Sequence, residues 1–279
     1  MDCHGIQLDF ARKTHIMGIL NTTPDSFYDG GLYDKPERAI DHALKMVDDG
    51  ADMIDIGGES SRPGAEAISV NEELKRTIPV LKKIRQKSNV AISIDTYKAE
   101  VAKAALDEGA NIINDISGMR FDPKMVELVA QVGVPIVLMH LKGMPKTMQD
   151  NPYYEDLIAE IYEYLNERIE FAIQHGIEQS KIIIDPGIGF GKRIEDNFEI
   201  LRNLRTFKQL GCPILIGPSR KSFIGAALNL PPAERKEGTA AAIAVGIVNG
   251  ADIIRVHDVK EMAQVAKITD LLLTKRSFR

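Results

Sequence analysis

Ala91-Ile-Ser-Ile-Asp95 and Asn111-Ile-Ile-Asn-Asp115 decide the fold. Each is a short apolar run, rich in isoleucine, that closes on a polar residue. Between them the chain passes Glu108-Gly-Ala-Asn111, whose glycine suits the left-handed cap of a helix about to turn into a strand. Working outward, the same run recurs upstream as His15-Ile-Met-Gly-Ile-Leu-Asn21 and Met53-Ile-Asp-Ile-Gly57. Downstream it recurs as Pro135-Ile-Val-Leu-Met-His140, Lys181-Ile-Ile-Ile-Asp185, Pro213-Ile-Leu-Ile-Gly217 and Asp252-Ile-Ile-Arg-Val-His257. Most of these runs lack polar alternation, the mark of parallel strands covered on the outside by helices.

The segments between them carry helical spacing. Pro36 to Asp49 places Ile40, Ala43, Leu44 and Val47 on one stripe, and Asn71 to Gln86 does so with Leu74, Ile78, Leu81 and Ile84. Asp156 to Gln174 and Asp196 to Gln209 follow the same pattern. The helix-ending phrase recurs as Asp49-Gly-Ala-Asp52 and Asn249-Gly-Ala-Asp252, which reads as one structural job done three times. Eight strand–helix units without a break in composition predict a single (β/α)₈ TIM barrel over residues 1–279. An open doubly wound sheet is the rival, but no GxGxxG follows the first strand. Residues 1–14 precede that strand and are expected to form a small hairpin closing the barrel bottom.

Composition narrows the function classes. The chain has 279 residues, 44% of them hydrophobic and 27% charged, as in ordinary globular proteins. A net charge of −5 speaks against a nucleic-acid or anionic-membrane partner. Cys3 and Cys212 form no CxxC pair, so zinc and redox motifs lack support; Cys212, in an apolar stretch, reads as a buried thiol. The opening MDCHGIQLDFARK does not read as a signal peptide, and no stretch nears the roughly 20 apolar residues of a membrane span. A cytoplasmic protein is expected.

In such a barrel the active site lies at the C-terminal ends of the strands. The residues there are Asn21, Glu59, Asp95, Asn114 with Asp115, His140, Asp185, Ser219 with Arg220 and Lys221, and Arg255 with His257. Any one of them alone is a turn former or a cap. Together they would bring acids, amides and cations to one mouth. The loops Asn21 to Gly31 and Gly57 to Gly64 are rich in Gly, Pro, Ser and Asp and include Arg62, so they offer hydroxyls, backbone N–H groups and a cation to a diphosphate. Closing over a reacting pair, they would also exclude water. The glycines of Asp185-Pro-Gly-Ile-Gly-Phe-Gly-Lys192 hint weakly at a phosphate cradle. Phe190 there either stacks on a planar ligand or packs locally. Arg220-Lys221 precede a helix start near Ser222, which suits an anionic group. His4, His15, His42 and His175 read as structural or surface residues, leaving His140 and His257 as site candidates. Arg255 and His257, on alternate strand positions, face one side and suit phosphate oxygens better than a metal.

These phrases carry a resemblance. NTTPDSFYDGG, GGESSRPGA, IDTYKAEVA, IINDISG, IIIDPGIGFGK, IGPSRKSFIG and RVHDV, in that order, resemble the signatures of dihydropteroate synthases over about residues 15–260. The resemblance implies condensation of 7,8-dihydropterin-6-ylmethyl diphosphate with 4-aminobenzoate, releasing pyrophosphate through a pterin-methyl cation, with Mg²⁺ assisting. It further implies a homodimer and a sulfonamide target. By this resemblance Asp95, Asn114 and Asp185 read the pterin edge, Lys221 bonds the ring carbonyl and N5, and Ile116 and Met139 line the ring faces. Asn21 would hold the metal and, with Ser61, Arg62, Arg255 and His257, the diphosphate. Phe27, Pro63, Phe190, Lys221 and Ser222 would frame the aminobenzoate. Asp29 resembles the acid that closes near the cation, and Lys221, Arg255 and His257 complete the catalytic set. Ser61 stands where many relatives have threonine, keeping the hydroxyl, and Tyr28 replaces a commoner serine. A pterin-binding methyltransferase domain would share the pterin-reading acids, but has no reason to keep NTTPDSF, SSRPG and SRK together. A non-catalytic paralogue is disfavoured by the intact Asn21, Arg62, Lys221 and Arg255.

Overall fold

A computed structural model describes residues 1–23, 35–60, 62 and 64–273. Two short strands, β1 (Asp2–Cys3) and β2 (Ile6–Gln7), form an antiparallel hairpin. The strands that follow are β3 (His15–Asn21), β4 (Met53–Gly57), β5 (Ala91–Asp95), β6 (Ile112–Asp115), β7 (Ile136–Met139), β8 (Ile182–Asp185), β9 (Leu215–Ile216) and β10 (Ile253–Val256). All eight run parallel in the order β8-β7-β6-β5-β4-β3-β10-β9. The ring closes through a parallel bridge between Ile184 and Ile214, where the Ile184 N–H donates to the Pro213 carbonyl at 2.9 Å. This is the predicted (β/α)₈ barrel.

The strands look uniformly apolar because their two faces meet different apolar surroundings. Outward residues such as Ile54, Ile56, Ile92, Ile94 and Ile254 pack under the helices. Those helices are α1 (Lys35–Asp48), α2 (Val70–Lys87), α3 (Ala99–Asp107), α4 (Lys124–Val132), α5 (Leu157–Gln174), α6 (Ile194–Arg202), α7 (Ser222–Leu228), α8 (Lys236–Val248) and α9 (Val259–Leu273). The short α7 is an addition to the repeating unit. Inward residues form a separate floor, one from each strand: Met17, Met53, Ala91, Ile112, Val137, Ile183, Leu215 and Ile253. Cys3 and Leu8 of the N-terminal segment seal that floor from below. The hairpin turn that delivers them has positive φ at His4 (51°) and Gly5 (87°), the conformation a two-residue turn of matching twist requires. Burial pushes both the Cys3 and the Cys212 thiol up to about 11, so neither is a ready nucleophile.

The thrice-repeated phrase does one job, and the structure shows which. Gly50, Gly109 and Gly250 each take a positive φ. The following alanine N–H reaches back to the last helical turn: Ala51 to Met46, Ala110 to Ala105, Ala251 to Gly246. The closing residue then turns its side-chain oxygen to the neighbouring strand. Asp52 accepts from the Ile16 N–H at 2.9 Å, Asn111 from Ile92 at 3.0 Å and Asp252 from Ile214 at 2.7 Å. Each phrase thus ends a helix and pins the next strand at its N-terminal end, far from the mouth.

The helix expected over 196–209 is split. Helix α6 stops at Arg202, and Leu204–Leu210 form a 3₁₀ segment. Its buried residues Leu204, Phe207 and Leu210 recur every third position, matching three residues per turn.

Candidate active site

Strand alternation carries the inward face upward from the apolar floor into a polar layer. Asp55 lies two residues above Met53, Ser93 and Asp95 above Ala91, Asn114 above Ile112, Asp185 above Ile183, and Arg255 above Ile253. Register sets these side by side: Asp55 pairs with Ser93 on the next strand, and Asp95 with Asn114. The Arg255 guanidinium bridges two of the acids. Its Nε donates to Asp55 Oδ2 and one Nη to Asp95 Oδ2, both at 2.6 Å. Asn114 Nδ2 donates to the same Asp55 oxygen at 3.0 Å.

Burial dominates the electrostatics here. It pushes the Asp95 carboxyl up to about 7, with Arg255 opposing and Asp55 adding to the rise. It also raises Asp185, against the pull of the Lys221 ammonium. Lys221 is pushed down to about 7 by burial, with Asp185 resisting. Its Nζ donates to the Ile188 carbonyl and lies 4.3 Å from the centre of the Phe190 ring. Beside this polar array stands a small apolar wall. Ile116, Met139, Leu141 and Met148 form a cluster distinct from the barrel floor and the helix layer, with Phe190, Tyr97 and Phe121 packed against it. A polar edge-reader next to an apolar face fits a flat heterocycle with donors and acceptors along its rim.

The other side of the mouth holds Asn21 at the end of β3, together with Ser219, Arg255 and His257. Ser219 Oγ lies 2.9 Å from His257 Nδ1 and accepts from the His257 N–H at 3.2 Å. Burial, then the charges of Arg255 and Arg220, push His257 down to about 4; Arg62 adds to the same effect. His257 therefore offers a neutral ring to an anion, and charge must come from Arg255 and the exposed Arg62. Ser222 opens α7 directly after Lys221.

Several residues expected at the mouth turn outward or are held by other protein groups. Asp115 follows Asn114 and so faces outward, where it accepts from Ser117 N–H and Oγ at 2.7 Å and from Met119 N–H at 2.9 Å. Arg220 forms a two-pronged pair with Asp258 at 2.8 and 2.6 Å. Glu59 is taken by Tyr97, Lys98 and the Ile68 N–H. His140 sits behind the glycine loop, its Nδ1 2.9 Å from the buried Lys192 Nζ. Phe27, Asp29, Ser61 and Pro63 lie outside the described residues.

Three N–H groups of the glycine loop that could have faced an anion are already used within the protein. Gly187 N–H donates to Asp185 Oδ1 at 2.7 Å, Gly189 N–H to Asn197 Oδ1 at 2.6 Å and Phe190 N–H to the Gly187 carbonyl at 3.0 Å. The glycines are there for close approach. A Cβ on Gly189 would sit 2.7 Å from the Lys221 stem, and one on Gly187 would sit 1.9 Å from the His140 carbonyl oxygen, at φ 72°. Gly187→Ala is therefore expected to cost at least about 2 kcal/mol of stability, read by thermal or denaturant unfolding, and to displace Asp185 and Phe190. An unfolding curve identical to the parent's would refute that packing.

The missed residues are Asp55, Ser93 and Lys192. Asp55 and Ser93 had a signal: each is a lone polar residue inside an apolar run, at the same parity as the floor.

Comparison with known proteins supplies what geometry alone leaves open. The model of the pterin binding enzyme family matches residues 17–257. Dihydropteroate synthase from Synechocystis is 51% identical over 265 residues, spanning 95% of this chain and 92% of its own. The Bacillus subtilis dihydropteroate synthase is 50% identical, over 96% of this chain and 92% of its own. The chain belongs to the dihydropteroate synthase family of pterin-binding enzymes. Dihydropteroate synthase structures superpose closely. That of Yersinia pestis with a sulfonamide drug complex gives a TM-score of 0.93 at 42% identity, over 98% of each chain. That of Xanthomonas albilineans with 7,8-dihydropteroate gives 0.89 at 39% identity, again over 98% of each. As a dihydropteroate synthase the chain is a transferase, and a stand-alone methyltransferase domain is set aside. Among the described residues no helix is long and apolar enough to cross a membrane.

Proposed function

We propose that this site joins 7,8-dihydropterin-6-ylmethyl diphosphate to 4-aminobenzoate, forming 7,8-dihydropteroate and pyrophosphate. The observation that carries the reading is the juxtaposition of Asp95, Asn114, Asp185 and Lys221 with the wall of Ile116, Met139 and Phe190. A pterin has one edge of alternating donors and acceptors and two apolar faces, and this arrangement meets both. Buried polar groups left unpaired by a wrong ring make such a site selective.

The reaction breaks the bond between the pterin methylene carbon and the diphosphate oxygen, the electron pair leaving with pyrophosphate. The positive charge left on the methylene is spread into the ring. The neutral arylamine nitrogen then forms the new C–N bond and loses one proton to water. No strong base is required. What the protein contributes is position and charge. Asp95, Asn114, Asp185 and Lys221 fix the ring. Arg255, Arg62, Ser61, Asn21 and neutral His257 hold the departing pyrophosphate. Phe190, Lys221 and Ser222 frame the aminobenzoate; the family resemblance would add Phe27 and Pro63 to that frame and give Asp29 a role near the cation.

Among the described residues no group of three acidic, histidine or cysteine side chains could hold a metal ion by itself. Asn21 offers one neutral oxygen beside the diphosphate side of the mouth. That donor set fits Mg²⁺ brought in on the diphosphate, where it would offset phosphate charge. A homodimer fits the apolar groove between α6, α7 and α8, where Phe198, Phe223, Leu228 and Val245 meet and Leu228 and Val245 are exposed. A cytoplasmic location and sulfonamide binding in the aminobenzoate position complete the reading, the latter because the Yersinia pestis relative was solved with such a drug.

The test is product formation. Chromatography with mass detection should find 7,8-dihydropteroate only when both substrates are present; its absence would refute the reading. A second expectation follows from Lys221. With its ammonium lowered to about 7, the free protein holds mostly the neutral amine at pH 8. An anionic ligand with a ring carbonyl favours the charged form, so binding at pH 8 should take up a proton. Calorimetry in two buffers of different ionisation enthalpy measures this, and the uptake should vanish in Lys221→Arg. Equal proton uptake in both proteins would contradict the assignment.

A further inference from the structure

Asp55 faces inward from the middle of β4, is 0% exposed, and has no part in the chemistry above. Its Oδ2 accepts from Arg255 Nε and from Asn114 Nδ2. A carboxylate paired with a guanidinium only accepts hydrogen bonds. Asn114 must therefore turn its nitrogen toward Asp55, because the flipped amide would set acceptor against acceptor. With one N–H tied down, the planar amide can offer only its Oδ1 and its second N–H, in a fixed order.

We propose that Asp55 is a positioning residue that sets the amide orientation of Asn114 and thereby the order of acceptor and donor presented to the pterin edge. This rests on the pterin reading of the site. It explains why a carboxylate stands where the barrel's packing has no need of one. Asp55 Oδ1 and the register-paired Ser93 Oγ are buried without a hydrogen-bond partner among the described residues, so the fold carries Asp55 at a cost. The same oxygen ties Asn114 to Arg255, linking the ring-reading side of the mouth to the phosphate side.

The test is calorimetric titration with a dihydropterin and with its analogue lacking the exocyclic 2-amino group. The parent should prefer the amino compound. In the near-isosteric Asp55→Asn the amide of Asn114 is free to face either way, and the preference should fall by about tenfold. Asn114→Ser should lose the same preference, and adding Asp55→Asn to it should change the ratio no further. A purely structural role for Asp55 would weaken both pterins equally and leave the ratio alone. An unchanged ratio in Asp55→Asn, or additive effects in the double variant, overturns the proposal. Should Asp55→Asn not fold, the parent's Asn114 side-chain amide decides by NMR. One slowly exchanging, downfield proton before ligand is added supports the proposal, and a fast-exchanging pair overturns it. If the parent binds neither pterin, the functional reading fails and takes this inference with it.

Discussion

Replacing Lys221 with alanine lowers kcat/KM by at least about 10²–10³-fold while leaving the protein folded. Lys221 is the cation that most opposes the burial-driven rise of the Asp185 carboxyl, and it lies against Phe190. Without it, Asp185 loses the largest of the charges that oppose its protonation. The ring then loses one donor and a good acceptor in the same change. Stability should not follow activity. The Lys221 ammonium is lowered to about 7 in the folded protein, against about 10.5 when exposed. Between these values the unfolded chain holds a proton that the native state has released, so the group's contribution to stability rises with pH across that window. Below about pH 7 the native protein carries the full burden of the buried ammonium. Lys221→Ala should thus be at least as stable as the parent at pH 6.5 and lose ground as pH climbs toward 10. Ser180→Ala is the control. Among the described residues its hydroxyl reaches only Glu178, at 3.1 Å, on an exposed turn before β8. Equal turnover of the two variants would sink the site assignment.

Arg255→Ala is expected to fail in both respects. Its guanidinium is the shared partner of Asp55 and Asp95, both at 2.6 Å and both well inside the barrel. Removing it strands two neighbouring carboxylates, and breaking a buried pair in this way costs about 3–5 kcal/mol. Denaturant unfolding measures this. The loss separates into parts by a second change. Arg255→Ala with Asp55→Asn removes one of the stranded charges, so part of the stability returns. On the proposed reading activity does not return, because the pyrophosphate still lacks the Arg255 guanidinium. Recovery of activity in the double variant would show that Arg255 serves only to neutralise Asp55.

The strands were legible because their isoleucine runs are short, dense and bounded by glycine or polar residues. The same density hid the site's lower tier. Asp55 in Met53-Ile-Asp-Ile-Gly57 reads as an interruption of an apolar strand until parity is applied, when it falls on the face of Met53 and Gly57. Parity also separates Asn114 from Asp115: adjacent residues of one strand cannot both face the mouth. His140 and Arg220 are committed to protein partners for another reason. Both stand just past a strand end, where alternation lapses and tertiary partners decide, here Lys192 and Asp258. The glycines of the loop after β8 serve close packing against His140, Lys192 and Lys221, a distinction that composition cannot make. The identity of the pterin and the arylamine was legible only as a family pattern. No spacing of acids and amides names a ring.

Continuous measurement of pyrophosphate release tests the central claim most directly. With the pterin-methyl diphosphate, Mg²⁺ and 4-aminobenzoate together, pyrophosphate should appear at a rate set by the enzyme and in equal amount to 7,8-dihydropteroate. No release on adding 4-aminobenzoate, or release without dihydropteroate, would contradict it.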